Sequence, residues 1–290
     1  MHHDLCHMKS IDLSTRAKFR LSGSDRVRYL NGQVSNDVTK AGVACAISAC
    51  VTTVKGGLEA LVWITVEADG QAFLIDTDAG LRESLFQRLS KYIIADDVQL
   101  EDVTGEYLLI HDLDNGPGGI ASERFAMPGN DRWIIPGELP AGTDWMSASD
   151  AEVLRVERGL PGWDHELAQG LLPAEALLDL RSVDFHKGCY VGQEVISRIQ
   201  SVGRVRRGLV ALTFSGGCPQ PGWLLLDAAG EKSGEVTSVV KSSAGALIGL
   251  GYIKRDMTVE VAVSGEKGLP CAAIIRSSAF QEADLPGSSE

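Results

Sequence analysis

A regular series of short apolar runs fills the last third of the chain, and this series constrains the fold more than any other part of the sequence. Turns rich in Gly, Pro and Asp separate the runs from residue 206 onward. Many short strands joined by such turns are typical of a small closed or sandwich-like β domain. The polar tail over residues 283–290 is expected to be disordered. The predicted strands cover residues 208–214, 223–226, 234–239, 246–252 and 259–263.

Before residue 206 the sequence mixes strand and helix periodicities. Two β-branched apolar runs, 43–53 and 58–66, flank a Lys-Gly-Gly turn and predict a hairpin. The runs 98–103 and 107–111 resemble a second pair of strands around a glycine. Amphipathic helical segments lie between such runs. This alternation predicts an α+β core over residues 1–205.

Composition excludes several classes of protein. The 290 residues carry a net charge of −12, so we expect no direct nucleic-acid partner and no anionic membrane partner. No apolar run approaches the ~20 residues that span a bilayer, and the first residues lack the apolar core of a signal peptide. The six cysteines contain no Cys-x-x-Cys pair, which predicts neither a disulfide framework nor a metal site. These features favour a soluble, cytoplasmic protein.

One short segment concentrates residues that can carry chemistry. Residues 187–194 read Lys-Gly-Cys-Tyr-Val-Gly-Gln-Glu and precede an apolar, helix-like run. A cysteine beside a helix N-terminus and a lysine can have a lowered pKa and become a thiolate. Cys189 and Lys187 are therefore catalytic candidates. The alternative is a small apolar cysteine packed under a glycine-rich turn, and these residues alone favour neither hypothesis.

The same eight residues resemble the K-G-C-Y-x-G-Q-E motif of the YgfZ-type folate-binding proteins, relatives of the glycine-cleavage T-protein (aminomethyltransferase). The resemblance continues in residues 21–38, 54–58 and 154–161, and it covers most of residues 17–210. It implies two interleaved α+β lobes with a folate pocket, followed by a C-terminal β-barrel over residues 206–282. It also implies an accessory protein that binds tetrahydrofolate or another reduced folate. The implied partners are iron–sulfur enzymes or their assembly factors.

Individual site residues also follow from the resemblance. Glu157 matches the glutamate that contacts the pterin in T-protein relatives, where one carboxylate can accept bonds from the amino group and the ring N–H together. Without the resemblance, Glu157 is a solvated residue of an amphipathic helix. Lys187 would lie near the folate, where it could meet the glutamate tail or hold Cys189 as a thiolate. Asn36 and Gln33 could bind folate through their amides, or they could be cap and turn residues.

Arginines form a basic stretch in this otherwise acidic chain. The stretch could be a patch for a folate polyglutamate or for a partner protein, or it could be solvated surface. Its members are Arg181, Arg198, Arg204, Arg206 and Arg207.

One departure from the T-protein pattern bears on enzyme activity. T-protein relatives carry an acidic pair after a Gly-Gly turn, and here the pair has become Glu59-Ala60. A shift of one position along a strand reverses the face of a side chain. The sequence therefore favours an accessory protein in which Cys189 has a redox or transfer role. The alternatives are a folate-dependent aminomethyltransferase and a non-catalytic structural adaptor.

Overall fold

The computed structural model describes residues 9–114, 119–201, 205–254, 260–264 and 271–278. The predicted tail over 283–290 and Arg204 lie outside the described residues. Within them the helices are α1 (Arg26–Gln33), α2 (Arg82–Ser90), α3 (Ala148–Glu157) and α4 (Gln193–Ser201). The strands are β1 (Lys9–Asp12), β2 (Ala17–Ser22), β3 (Ile47–Thr52), β4 (Leu58–Val66), β5 (Ala72–Thr77), β6 (Gln99–Asp102), β7 (Leu108–Asp112), β8 (Ile120–Ser122), β9 (Gly129–Ile134), β10 (Asp144–Trp145), β11 (Arg207–Ser215), β12 (Leu224–Leu226), β13 (Lys232–Lys241), β14 (Leu247–Lys254), β15 (Glu260–Ser264) and β16 (Cys271–Ser278).

The chain divides into two compact units and crosses between them more than once. The first unit contains the residues up to Ala151 together with Arg181–Val195. The second contains Glu152–Leu180 together with the residues from Ile196 onward. The sequence predicted one core up to residue 205, so this division places two stretches differently: Glu152–Leu180, and the residues from Ile196 to the predicted boundary.

Polar contacts within the second unit explain why residues 152–180 belong to it. Glu166 is buried, and its Oε1 accepts hydrogen bonds from Thr237 Oγ1 at 2.7 Å and Ser238 Oγ at 2.6 Å. Its Oε2 accepts a hydrogen bond from Arg155 Nη1 at 2.8 Å. A buried carboxylate is costly unless it is paired, so these bonds tie the segment to β13.

The first unit contains two sheets. The first sheet has the antiparallel order β3-β4-β5-β2-β6, and its β3–β4 pair confirms the predicted hairpin. The second sheet has the order β10-β1-β7-β9-β8. β1 lies in the second sheet, β2 to β6 form the first sheet, and β7 to β10 lie in the second sheet again. This interleaving is the one that the resemblance implied.

The predicted pairing of 98–103 with 107–111 is wrong. β6 pairs with β2 in the first sheet, whereas β7 pairs with β1 and β9 in the second. The register places Arg20 opposite Glu101, and Arg20 Nη1 donates to Glu101 Oε2 at 3.2 Å. Val103 N also donates to Lys18 O at 2.9 Å. The chain therefore stays beside β2 and leaves for the other sheet only after residue 103.

The second unit contains a closed barrel with the strand order β11-β14-β13-β12-β15-β16. It confirms the predicted β domain. The two sheets and the helices of the rest of the chain give the predicted α+β fold class. The strand that the sequence pattern missed is β16, which pairs with β11 and β15 and closes the barrel. The core of the barrel is apolar. Its buried members are Val210, Leu212, Phe214, Leu225, Val236, Ile253, Cys271 and Ala273.

Within the described ranges, no helix is both long and apolar enough to cross a membrane.

Candidate functional site

A cavity of about 540 Å³ lies within the first unit, between β3 and β4 on one side and the turn that joins β8 to β9 on the other. Aromatic, amide, hydroxyl, carboxylate and guanidinium groups all contribute to its wall. The lining residues are Asn36, Cys45, Ala46, Ile47, Ser48, Trp63, Ala121, Ser122, Glu123, Ala126, Pro128, Gly129 and Arg181.

The polar wall is held in place by bonds between distant segments of the first unit. Asn36 Nδ2 donates to Ser48 O at 2.8 Å, which fixes the orientation of the amide. Ser48 Oγ lies 2.8 Å from Ser182 Oγ, and Ser35 Oγ donates to Ser182 O at 2.6 Å. These bonds attach the segment around Ser182 to β3. They place the exposed Arg181 side chain at the cavity.

Trp63 forms the aromatic part of the wall, and a buried ion-pair network supports it. The Arg124 guanidinium lies 4.7 Å from the centre of a Trp63 ring. Arg124 donates to both Asp76 and Asp131. Burial disfavours the charge of Arg124, but the two carboxylates outweigh it and raise the pKa of the guanidinium. Trp63 is thus stacked on a permanent cation, which restricts its ring position.

His111 lies beneath the same wall. It is fully buried, and its Nδ1 lies 2.8 Å from Asp131 Oδ1. Burial opposes the charge of Asp131, yet the Arg124 charge and the His111 bond lower the pKa of that carboxyl. An ionised Asp131 requires the proton on His111 Nδ1. Ser122 Oγ, which lines the cavity, donates to the same carboxylate oxygen at 3.0 Å.

The Lys187 ammonium donates hydrogen bonds to backbone carbonyls. Its Nζ donates to the oxygens of Asn31, Val34 and Asn36 at 2.7, 2.8 and 2.7 Å. These acceptors lie at and just beyond the C-terminal end of α1, where carbonyls lack helical partners. Burial lowers the pKa of this ammonium to about 8.

Cys189 is exposed and lies four residues before α4, which begins at Gln193. The exposed thiol contradicts the alternative of a cysteine packed under the turn. After Cys189 the segment is anchored by Val191, whose N donates to Gly32 O at 3.1 Å and whose O accepts from Thr52 Oγ1 at 2.7 Å. Before Cys189 it is anchored by the bonds of Lys187. The structure therefore presents this thiol at the surface on a fixed piece of backbone.

Two other residues singled out in the sequence meet at one arginine. Arg88 Nη1 donates to Gln33 Oε1 at 2.9 Å, and Arg88 Nε donates to Glu59 Oε2 at 2.7 Å. Gln33 is buried. Of the two amides predicted to bind folate, Asn36 lines the cavity. The Gln33 amide instead accepts the hydrogen bond from Arg88.

Glu157 lies at the end of α3 in the second unit. Its Oε1 accepts hydrogen bonds from Ser243 N and from Ser243 Oγ, both at 2.9 Å. The carboxylate therefore holds the turn between β13 and β14. Its role with a pterin stays a prediction.

The basic stretch is not a single group of free side chains. Arg181 lines the cavity of the first unit, whereas Arg207, in the second unit, donates to Glu175 at 3.3 Å and stacks on Tyr252. Trp63 and Glu123 were missed at the sequence level. The alternation of β4 was the available signal for Trp63, because residues 59, 61 and 63 share one face of a strand.

Comparisons with known proteins agree with this fold. No protein-family model matches the chain. The mitochondrial iron–sulfur cluster assembly factor IBA57 homologue of Mycosarcoma maydis is 30% identical over 71% of this chain and 57% of its own length. The tRNA-modifying protein YgfZ of Cronobacter sakazakii is 25% identical over 85% of each chain. Plant and fungal relatives are longer, and the chain spans between 54% and 65% of their length.

A solved structure shows the fold directly. The glycine cleavage system aminomethyltransferase T of Bartonella henselae is similar with a TM-score of 0.79. The match covers 92% of this chain and 85% of that chain, at 17% identity. Among the residues described here, no three His, Cys, Asp or Glu side chains are grouped so that they could hold a metal ion.

Proposed function

Because this chain is a homologue of the YgfZ and IBA57 proteins and has the aminomethyltransferase fold, we propose that it is a reduced-folate-binding accessory protein. Its task would be to support the assembly or repair of iron–sulfur enzymes. The partners would then be those enzymes or their assembly factors. The IBA57 relative supports this role, because it is named as an iron–sulfur cluster assembly factor.

The observation that carries the folate proposal is the cavity of the first unit. A pterin is a flat aromatic bicycle with donors and acceptors on its edges, and the glutamate tail of folate is anionic. Trp63 offers an aromatic face, while Asn36, Ser48 and Glu123 offer directional polar groups. Arg181 offers a cation for the tail carboxylates. The residues present therefore fit a reduced folate, which when bound supplies a carrier for a one-carbon unit.

Calorimetric titration with tetrahydrofolate tests this site. We expect Arg181→Gln to weaken binding at least fivefold, since it removes a charge-assisted contact of about 1–3 kcal/mol. Arg82→Gln is the matched control, because Arg82 is another exposed arginine of the first unit whose partner is Asp102. Equal affinities for the wild type and both variants would remove Arg181 from the folate site.

Tryptophan fluorescence provides an independent readout of the position of the ligand. Binding at the cavity should change the emission of the wild type and of Trp133→Phe, because Trp133 lies at a different cavity of the same unit. The change should be largely lost in Trp63→Phe. A ligand-induced change that survives in Trp63→Phe would place the folate elsewhere.

Cys189 is the proposed redox or transfer residue. Its exposure and its anchored backbone support this role, because a reacting thiol must be reached by a partner. Cells that lack this protein, complemented with Cys189→Ser, should fail to recover iron–sulfur enzyme activity. Cys218→Ser, which replaces another exposed thiol, should restore that activity. Full rescue by Cys189→Ser would favour the structural adaptor instead.

A further inference from the structure

Two cysteines of the second unit lie at the end of the barrel where β11 and β16 pair. The register places Ser215 opposite Ala272, so the chain leaving β11 passes next to Cys271. Gly216 and Gly217 then adopt positive φ values of 74° and 61°, which turn the chain sharply. Cys218 is the first residue after this turn.

Distances at the turn show how closely the chain at Gly217, the residue before Cys218, passes Cys271. A Cβ placed on Gly217 would lie 2.9 Å from Cys271 Cβ and 3.6 Å from Cys271 Sγ. Cys218 is the next residue, with its Cα about 3.8 Å from that of Gly217. Disulfides join residues whose Cα atoms are about 4.4–6.8 Å apart. Because glycine has wide backbone freedom, the Gly216-Gly217 turn can swing Cys218 toward Cys271.

The two thiols differ in access and influence each other. Cys218 is exposed, whereas Cys271 is only 4% exposed. Burial raises the pKa of the Cys271 thiol, and a negative charge on Cys218 raises it further. The exposed thiol can therefore meet an oxidant in solution first, and the buried thiol lies within electrostatic reach of it.

We propose that Cys218 and Cys271 form a reversible disulfide when the protein meets a peroxide. The Cys218 thiolate attacks one peroxide oxygen, which breaks the O–O bond, and a proton from solvent completes the released water or alcohol. Cys218 is then a sulfenic acid. Cys271 sulfur attacks the Cys218 sulfur and displaces hydroxide, which leaves as water with the proton of the Cys271 thiol. The two cysteines are oxidised together, and one peroxide is reduced.

This disulfide would join the closing strands of the barrel covalently. The loop between residues 218 and 271 contains β12 to β15, so the cross-link removes conformational freedom from a long stretch of the unfolded chain. We expect the oxidised protein to melt several degrees above the reduced protein, with the increase confined to the second unit.

Peptide mapping after oxidation tests the proposal. The fully reduced protein is treated with one equivalent of hydrogen peroxide, alkylated, and digested with trypsin, which separates the two cysteines by cleaving at intervening lysines. We expect one cross-linked pair of peptides that contains Cys218 and Cys271 and is lighter by two hydrogens. Dithiothreitol should release the two peptides.

Matched variants distinguish this disulfide from general oxidation. Cys218→Ser replaces an exposed side chain and should fold but form no cross-link, whereas Cys189→Ser should form it as the wild type does. In Cys271→Ala, Cys218 should stop at a sulfenic acid that dimedone traps. The proposal is overturned if peroxide leaves Cys271 alkylatable in the unfolded wild type, or if Cys218 cross-links equally to other cysteines.

Discussion

At the residue scale, Lys187 places a positive charge among three backbone carbonyls at the end of α1. The helix macrodipole favours a cation at this end. Burial nevertheless lowers the pKa of Lys187, and the charges of Asp37 and Asp184 only partly oppose that effect. The lysine of the motif therefore stabilises the local fold of the first unit. Its hydrogen bonds are with carbonyl oxygens, and its Nζ lies 5.3 Å from the centre of the Tyr190 ring.

Lys187→Met should destabilise the protein by about 2–3 kcal/mol, because it leaves several carbonyls without a donor. Chemical denaturation measures this loss. Lys55→Met is the control, since Lys55 is exposed on the β3–β4 turn. An effect no larger than that of Lys55→Met would mean that solvent satisfies these carbonyls.

The contribution of Lys187 should depend on pH. Its folded pKa of about 8 lies below the ordinary value of 10.5, so the unfolded chain binds more protons between these values. The stability contributed by Lys187 should therefore rise from pH 8 to pH 10.5 and fall as pH drops through 8. Denaturation at several pH values should show a stability difference between wild type and Lys187→Met that grows with pH. A constant difference would show that the pKa is not shifted.

Glu157 offers a choice between two roles that one substitution can separate. If it anchors the pterin, Glu157→Gln should bind tetrahydrofolate at least tenfold more weakly, a loss on the order of 2–3 kcal/mol. If it only holds Ser243, Glu157→Gln and Ser243→Ala should both lower stability and leave affinity unchanged. Titration and denaturation of the two variants decide between these outcomes.

At the element scale, the segment 187–194 docks on the β3–β4 hairpin through Gly192. This glycine has a φ of 89°, and a Cβ there would lie 2.5 Å from Thr53 O. Only a residue without a side chain fits both the backbone conformation and the close contact. Gly188, the other glycine of the motif, has no atom within 4 Å of an added Cβ.

Gly192→Ala should therefore cost about 2 kcal/mol or more, while Gly188→Ala should change stability by less than about 0.5 kcal/mol. Thermal melting measures the stability of the two variants, and Gly188→Ala is the control from the same motif. Equal effects would mean that the docking of this segment does not depend on the close approach at Thr53.

At the scale of the whole molecule, the chain has the fold of an aminomethyltransferase. It carries Glu59-Ala60 where T-protein relatives have two acidic residues. Glu59, the remaining carboxylate after the Gly-Gly turn, forms an ion pair with Arg88. Arg88 also donates to Gln33 and to Thr52 O. The Arg88 contact fixes the position of this carboxylate and occupies one of its oxygens, so the carboxylate is poorly placed to act on a folate nitrogen.

We therefore expect no methylene-tetrahydrofolate above background when the protein is given aminomethyl-loaded carrier protein and tetrahydrofolate. A glycine-cleavage T-protein assayed in parallel is the positive control. Robust turnover would instead favour the one-carbon transferase, with Glu59 as the carboxylate to substitute first.

The sequence by itself determined the features that depend on neighbouring residues. The alternation of short runs and turns indicated the barrel and the β3–β4 hairpin, because strand periodicity and turn residues are local properties. The motif at 187–194 and its flanking segments identified the relatives. One strand of the barrel, β16, was missed although it is eight residues long and the sequence Gly-Leu-Pro precedes it. Its two alanines and three polar residues at the C-terminal end give a weak strand pattern.

Only the tertiary structure decided which distant residues meet. β6 pairs with β2 in a register that sets Arg20 opposite Glu101, 81 residues later, and no local pattern encodes a pairing at that separation. The Gln33 side chain accepts a hydrogen bond from Arg88, and Lys187 donates its hydrogen bonds to backbone carbonyls. Both follow because buried polar groups must find partners wherever the fold supplies them. Trp63 and Arg181 reach one cavity from segments far apart in the chain. Burial and charge compensation act through space, so these outcomes follow from the packed molecule and not from the order of its residues.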